Sequence, residues 1–185
     1  THAGHLHLFS LPQTLFVGLN RLSRKQGATL FMTMLAAYQI LMSKYSRMDD
    51  ISVGTPIANR TREEVEGLIG FFVNTLTLRS QVLSDSSFTE LLEKVKETTL
   101  GAYAHQDLPF ETIVDAVNPD RNLSHSPLFQ VIFALQNAPS GELTLPGLKA
   151  GMVKGEGITA KFDLNMSIWE APTGGGGYFE YNTDL

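Results

Sequence analysis

A chain of 185 residues, 43% apolar and 18% charged, has material for one well-filled core and hardly for two. Fourteen basic against nineteen acidic residues leave a formal charge of −5, which disfavours nucleic acid or an anionic membrane as partner. The absence of cysteine removes disulfides, thiolate nucleophiles and Cys-ligated zinc together, and fits a reducing compartment; with no leader in Thr1 to Ser10 and no run of about 18 apolar residues, a soluble cytoplasmic protein is expected.

His5 to Ser10 alternates polar and apolar residues like a half-exposed strand, and Pro12 suits the first turn of a helix running to about Lys25, closed by Gly27. From Thr29 as N-cap, Leu30, Met34, Tyr38, Leu41, Met42 and Tyr45 recur at helical spacing, with Phe31, Leu35, Ala36 and Ala37 widening the stripe into a helix buried on most sides. Arg47 to Asp50 is a charged turn. Ile51 to Ala58 reads as a strand whose Gly54-Thr55-Pro56 is expected to interrupt regular pairing and to admit something close to the backbone. Asn59 to Val65 leads through a loop into a short helix.

The run Ile69-Gly70-Phe71-Phe72-Val73-Asn74-Thr75-Leu76-Thr77-Leu78-Arg79 is read as an apolar strand entered by a bend at Gly70 and leaving to solvent at Arg79. The amide of Asn74 interrupts the hydrocarbon. Such a group either bonds backbone within the core or serves a site. Ser87-Phe88-Thr89-Glu90 is a capping box opening a helix with Phe88, Leu91, Leu92, Val95 and Tyr103 inward and a Glu90–Lys94 pair one turn apart. His105-Gln106-Asp107 ends it, and Pro109 opens another helix through Ile113, Val114 and Val117 to Asn118, so that two helices meet at a polar elbow.

Leu128 to Gln136 is apolar almost throughout, as the middle strand of a sheet would be. Gly and Pro punctuate a long irregular excursion over 141–157, with one short strand near Leu143 to Leu145. Phe162 to Glu170 alternates, putting Asp163, Asn165, Ser167 and Trp169 on one face, and the glycines Gly174 to Gly177 read as a hairpin loop before a strand at Tyr178 to Asn182. There are no repeats. The expected fold is an α/β (α+β) two-layer sandwich, a mixed sheet covered by helices, in one unit over 1–185.

The usual catalytic signatures are absent: no Gly-x-Ser-x-Gly elbow, no phosphate-cradling loop, no His-Glu-x-x-His pair. His105 and Asp107, two apart at a helix end, have a spacing that can bind metal but more often serves caps and turns. Neither a metal nor a directly bound cofactor is expected.

Three segments in order resemble the condensation domains of nonribosomal peptide synthetases. The family pattern Ile/Val-Gly-x-Phe-Val-Asn-Thr, then three residues and Arg, is met by Ile69 to Arg79. The pattern His/Asn-Gln-Asp-x-Pro-Phe-Glu is met by His105 to Glu111. Arg-Asp-x-Ser-Arg-Asn-Pro-Leu is met loosely by Arg121 to Leu128, with Asn122, His125 and Ser126 departing from it. Val53 to Pro56 with Ala58-Asn59-Arg60, Lys161 to Leu164, and Tyr181 to Leu185 also look like family segments in their usual order.

The resemblance implies a lobe similar to chloramphenicol acetyltransferase, one of two that enclose a tunnel for the phosphopantetheine arms of donor and acceptor carrier proteins. It implies peptide bond formation in antibiotic and other secondary-metabolite biosynthesis: a carrier-bound acyl or peptidyl thioester joined to a carrier-bound amine. The family's His-His-x-x-x-Asp-Gly motif is absent from this sequence. The chain is therefore expected to be the C-terminal lobe alone, inactive by itself. Its implied partners are the N-terminal lobe, the donor and acceptor peptidyl carrier proteins and a neighbouring adenylation domain. The excursion at 141–157 would be a latch to the N-terminal lobe, and the exposed lobe face would be open to self-association. Amide formation needs the amine placed, its proton managed and an oxyanion stabilised, of which this lobe would supply placement. Asn74, Gly54, Ser167 and Trp169 are the residues expected to line the tunnel or position substrate; Gly70, Arg79, His105, Gln106, Asp107 and Arg121 are expected to be structural members of their motifs. The alternatives are a lobe from an epimerising or cyclising relative, and a non-catalytic module that docks carrier proteins.

Overall fold

The computed structural model describes residues 3–60, 62–118, 126–136, 147–148, 158–171 and 174–185. Its elements are β1 (Ala3–Pro12), α1 (Gln13–Lys25), α2 (Leu30–Ser46), β2 (Asp50–Ile57), α3 (Glu63–Glu66), β3 (Asn74–Gln81), α4 (Phe88–Ala104), α5 (Phe110–Val117), β4 (Val131–Gln136), β5 (Ile158–Thr159), β6 (Leu164–Ala171) and β7 (Gly174–Asn182). Among the described residues the strands form one sheet of seven in the order β3-β2-β4-β6-β7-β1-β5. β4 runs parallel to both β2 and β6, and the remaining pairs are antiparallel. This is the mixed sheet covered by helices that the sequence predicts.

Strand alternation divides the sheet into two faces. Ile51 and Val53 of β2, Leu76 and Leu78 of β3, Phe133 of β4 and Ile168 of β6 point to one face, where they meet Phe16 of α1, Leu35 and Tyr38 of α2 and Leu92 and Val95 of α4 in a single core. Two capping devices start the central helices as the sequence predicts. The Thr29 hydroxyl accepts from Met32 N at 3.2 Å. Ser87 Oγ accepts from Glu90 N at 3.3 Å while Glu90 Oε2 accepts from Ser87 N at 2.8 Å. Burial pushes the Tyr38 phenol up from its ordinary range.

Several details depart from the sequence reading. Leu41 and Tyr45, read as core-facing, are 37% and 83% exposed, and Met32, Thr33 and Gln39 are buried instead. Gly54-Thr55-Pro56 does not interrupt pairing, since β2 and β3 stay in register from Asp50↔Gln81 to Ile57↔Asn74. The glycines at 174–177 are strand, not loop. A Cβ on Gly175 would stand 2.6 Å from the Phe16 ring and one on Gly177 2.4 Å from the Phe9 ring, so the strand is bare because aromatic rings lie on it. β6, not β4, holds the centre of the strand order, and β4 begins at Val131 rather than Leu128. The stretch from Ile69 to Val73 lies outside β3, which starts at Asn74. Arg121 and the 141–157 excursion with its strand near Leu143 to Leu145 lie outside the described residues, Gly147 and Leu148 excepted. No described helix is long and apolar enough to cross a membrane.

Candidate functional site

The first residue of β3 ties together two segments far apart in sequence. Asn74 Nδ2 donates to the carbonyls of Gln106 and Leu108, each at 2.8 Å. Its Oδ1 accepts from Thr75 N at 2.9 Å and from Phe110 N at 3.2 Å. An amide has two N–H donors and two lone-pair directions, and all four are engaged. Because Phe110 opens α5, the contact also supplies the cap that its predecessor Pro109 does not. Of the two roles open to Asn74 in the sequence, backbone bonding is the one this geometry favours. The elbow it holds carries His105 and Asp107 exposed and Gln106 half-buried.

The other residues read as a site do not gather around Asn74. Alternation puts Asn74 on the face of Leu76 and Leu78, toward the helices, whereas Gly54, Ser167 and Trp169 lie on the opposite face. There, Gly54, Ile132 and Asn165 form one row across β2, β4 and β6. The close approach expected at Gly54 is made by the chain's own Phe129: a Cβ would stand 2.4 Å from its ring. That ring is 2% exposed and packs against Phe110 at 5.5 Å and Phe162 at 5.7 Å between centroids, a second apolar cluster separate from the helix-side core. Ser167 is buried and accepts from Gln136 Nε2 at 3.4 Å, and Trp169, 37% exposed, lies over Gly176. Thr77 Oγ1 and Asn165 Oδ1, on the same face, are buried with no hydrogen-bond partner among the described residues.

The loop before β3 is organised by Arg60, to which the sequence reading assigns no role. Its guanidinium donates to the carbonyls of Val65, Leu68 (2.9 Å) and Gly70 (3.5 Å) and lies 4.4 Å from the centre of the Phe72 ring. A Cβ on Gly70 would come within 2.9 Å of that same ring, so any larger residue here would displace Phe72. In the sequence Arg60 stands out only as the end of the Ala58-Asn59-Arg60 family segment; that it braces a Gly-Phe-Phe ten residues further on is made evident by the fold. At the other end of β3, Arg79 is exposed as expected and grips Asp50 with Nε donating to Oδ1 at 2.8 Å. That hydrogen bond holds the Asp50 carboxyl below its ordinary range.

The contact of Ser87 with Glu90 is a surface helix cap, and no cluster of three metal-capable side chains occurs among the described residues. An open cavity of about 1020 Å³ lies between the end of α2 and the starts of β4 and β6, lined by Leu41, Tyr45, Met48, Leu128, Leu164 and others. It is at the opposite end of β2 from Asn74. The arrangement can bind, brace and position.

The fold is that of condensation domains. The chain superimposes on a four-domain nonribosomal peptide synthetase, holo-AB3403 bound to AMP and glycine, with a TM-score of 0.86 at 25% identity over 100% of its own length and 15% of that chain. The condensation domain of the Monacolin K polyketide synthase MokA gives 0.80 at 24% identity, over 98% of this chain and 42% of that one, a likeness of fold. The chain belongs to the condensation-domain family: residues 2–185 match the family model described as Condensation domain. It is 49% identical over 187 aligned residues to a linear gramicidin synthase of Brevibacillus parabrevis and 50% identical over 167 to malpinin synthetase of Mortierella alpina. It spans 2% of the length of each of these relatives.

Proposed function

We propose that this chain is the second lobe of a nonribosomal peptide synthetase condensation domain and serves amide bond formation between a donor thioester and an acceptor amine, each held on the phosphopantetheine arm of a carrier protein. The observation that carries the reading is the family match over residues 2–185 in a sequence without His-His-x-x-x-Asp-Gly. Its 42% coverage of the MokA condensation-domain chain gives further support. In the reaction the amine nitrogen attacks the thioester carbon, the C–N bond forms, the C–S bond breaks, and the amine proton leaves by way of a base. On this reading the base comes from the other lobe, and the present chain positions.

The residues take roles accordingly. Asn74 acts as a positioning residue, joining the 69–79 and 105–111 motifs through the backbone of the elbow. Ser167 and Trp169, on the face away from the helices, and Gly54 beneath Phe129 are the proposed tunnel lining. Gly70, Arg79, His105, Gln106 and Asp107 shape their motifs. The 141–157 segment is the proposed latch to the first lobe, and the adenylation domain and carriers are the proposed neighbours, in the cytoplasm.

The test is complementation. The chain is mixed with a separately produced first lobe bearing His-His-x-x-x-Asp-Gly and with loaded donor and acceptor carriers, and the amide product is followed. Product in the mixture and in neither lobe alone is the expected result. Pairing of the lobes with no product would shift the function to carrier docking or to different chemistry.

A further inference from the structure

Strand parity sends Asn165 and Glu180 to the face of the sheet away from the helices, in a row that runs Leu6, Glu180, Asn165, Ile132 across β1, β7, β6 and β4. The two are direct partners in the antiparallel ladder, so their Cβ atoms stand about 4.5–5.5 Å apart. Both are half-buried, and hydrocarbon flanks the pair on either side, Leu6 beyond Glu180 and Ile132 beyond Asn165. Asn165 Oδ1 is buried with no hydrogen-bond partner among the described residues. Glu180 forms no ion pair among them either, Arg79 being held by Asp50 and Lys96 by Glu93. Of the strand residues with a buried unpartnered oxygen, Thr77 faces Gly54 across the ladder, Ser80 faces Ile51, and Asn165 alone faces a carboxylate. The amide oxygen and the carboxylate are both acceptors, and side by side they repel unless a donor stands between them. A water would satisfy the amide oxygen and leave a charge beside hydrocarbon uncompensated. A cationic group with several N–H donors satisfies both at once.

We infer that Asn165 and Glu180 form a recognition site for an organic ammonium group, with Oδ1 of the one and the carboxylate of the other accepting from the same nitrogen. The site itself rests on the register of β6 with β7; for the source of the cation it rests on the proposed function, in which this face lines the tunnel and the substrate that enters is an amine. Two parts of such a substrate carry the required chemistry: the α-ammonium before its proton is lost, and a cationic side chain. In either case the pair binds and places the substrate and takes no part in making or breaking a bond. The carboxylate supplies most of the attraction, because Leu6 and Ile132 limit the water that would screen it, and the amide oxygen supplies direction.

The experiment titrates the isotope-labelled 185-residue chain with small amides and follows the backbone amide signals of β6 and β7 by NMR. Glycine N-methylamide carries an α-ammonium only, Nα-acetyl-lysine N-methylamide a side-chain ammonium only, and Nα-acetylglycine N-methylamide neither. Saturable shifts centred on residues 165 and 180 are expected with a charged probe and none with the uncharged one, and the charged probe that binds more tightly identifies the source. Glu180→Gln, which keeps the shape and removes the charge, is expected to weaken that binding by about tenfold or more. Asn165→Leu is expected to weaken it by a smaller factor, and Glu180→Asp to retain more of it than Glu180→Gln. Amide exchange in β4 and α2, unchanged from wild type, confirms that each variant keeps the fold. Equal response to charged and uncharged probes, binding that Glu180→Gln leaves unchanged, or no response to either charged probe would each overturn the site. Amide product in the complementation mixture beside such a failure would leave the two-lobe reading standing. Ammonium binding lost in Glu180→Gln, with no product in that mixture, would keep the site and overturn the source assigned to its cation.

Discussion

Two runs of this chain look alike as sequence. Ile69-Gly70-Phe71-Phe72-Val73 and Val131-Ile132-Phe133-Ala134-Leu135 are both short, apolar and rich in strand-forming residues. The second is β4, with parallel partners on both sides and Phe133 at 0% exposure, stacked on Tyr38 with centroids 5.6 Å apart. The first pairs with no strand among the described residues, bends around an arginine and turns Ile69 and Phe71 outward. What separates them is partnership rather than composition: strand preference describes how a residue fits a pleated, half-buried surface, and only one run has been given such a surface.

The sharpest way to break this comparison is to truncate the equivalent ring in each run. Phe133→Ala opens a cavity in the single core and should cost about 3–5 kcal/mol, a large share of a domain's stability. Phe71→Ser should change stability by less than about 0.5 kcal/mol, because no described group packs on that side chain. Denaturant unfolding of the two variants, compared at equal slope, measures the difference. Equal losses would mean that the 68–73 loop is packed in solution.

A smaller effect tests the joint between the two regions. Asn74→Asp keeps the Oδ1 contacts to Thr75 and Phe110 but turns an oxygen toward the carbonyls of Gln106 and Leu108, where the amide had donated. The expected loss at neutral pH is about 1–3 kcal/mol. The sign of its pH dependence follows from the geometry. An ionised carboxylate facing two carbonyls is disfavoured, so the folded-state pKa of the introduced Asp rises above its unfolded value. The neutral acid, which regains one donor, then stabilises the fold below the unfolded pKa, and that gain is lost as pH rises through the folded one. Relative to wild type, the variant should therefore recover stability as pH falls toward about 4. Exchange of the Phe110 amide reports the joint directly. A loss independent of pH would place Asn74 in a role other than this bond.

How much of this is legible in the sequence follows the range of each interaction. Thr29, Ser87 with Glu90, and the elbow at 105–107 are readable because a helix terminus and its cap lie within a few residues of one another. The mixed helix-covered sheet follows from the order of periodic and apolar segments. The glycine stretch 174–177 reads wrongly as a loop because the rings that require it, Phe9 and Phe16, lie across the sheet and on α1. Gly54 points correctly to a close approach, but nothing local names Phe129 as the group that makes it. The bracing role of Arg60 is hidden for the same reason: the carbonyls it gathers are groups that every residue possesses. For the candidate site, the motif residues are identifiable as a set, while their separation onto two faces of the sheet depends on the register of β2 with β3 and on the parity of β6.

The smallest effect compares two ways of capping a helix. Ser87 with Glu90 closes α4 from within its own first turn, and Asn74 closes α5 from 36 residues away. Ser87→Ala should cost about 1 kcal/mol, since the Glu90 amide loses its acceptor at an exposed site where water replaces it in part. The pH dependence here runs opposite to that of Asn74→Asp. The Ser87 N–H first, and its hydroxyl second, hold the Glu90 carboxyl below its ordinary range. A carboxyl lowered on folding contributes stability above its unfolded pKa, and the contribution is lost as pH falls through the folded one. Acidification should thus weaken the α4 cap in the wild-type chain, less so in Ser87→Ala, while it strengthens the α5 joint in Asn74→Asp. Amide exchange at Glu90 and Phe110 followed over the same acid range separates the two. Parallel responses at both amides would mean that one global transition, rather than two independent caps, governs these helix termini.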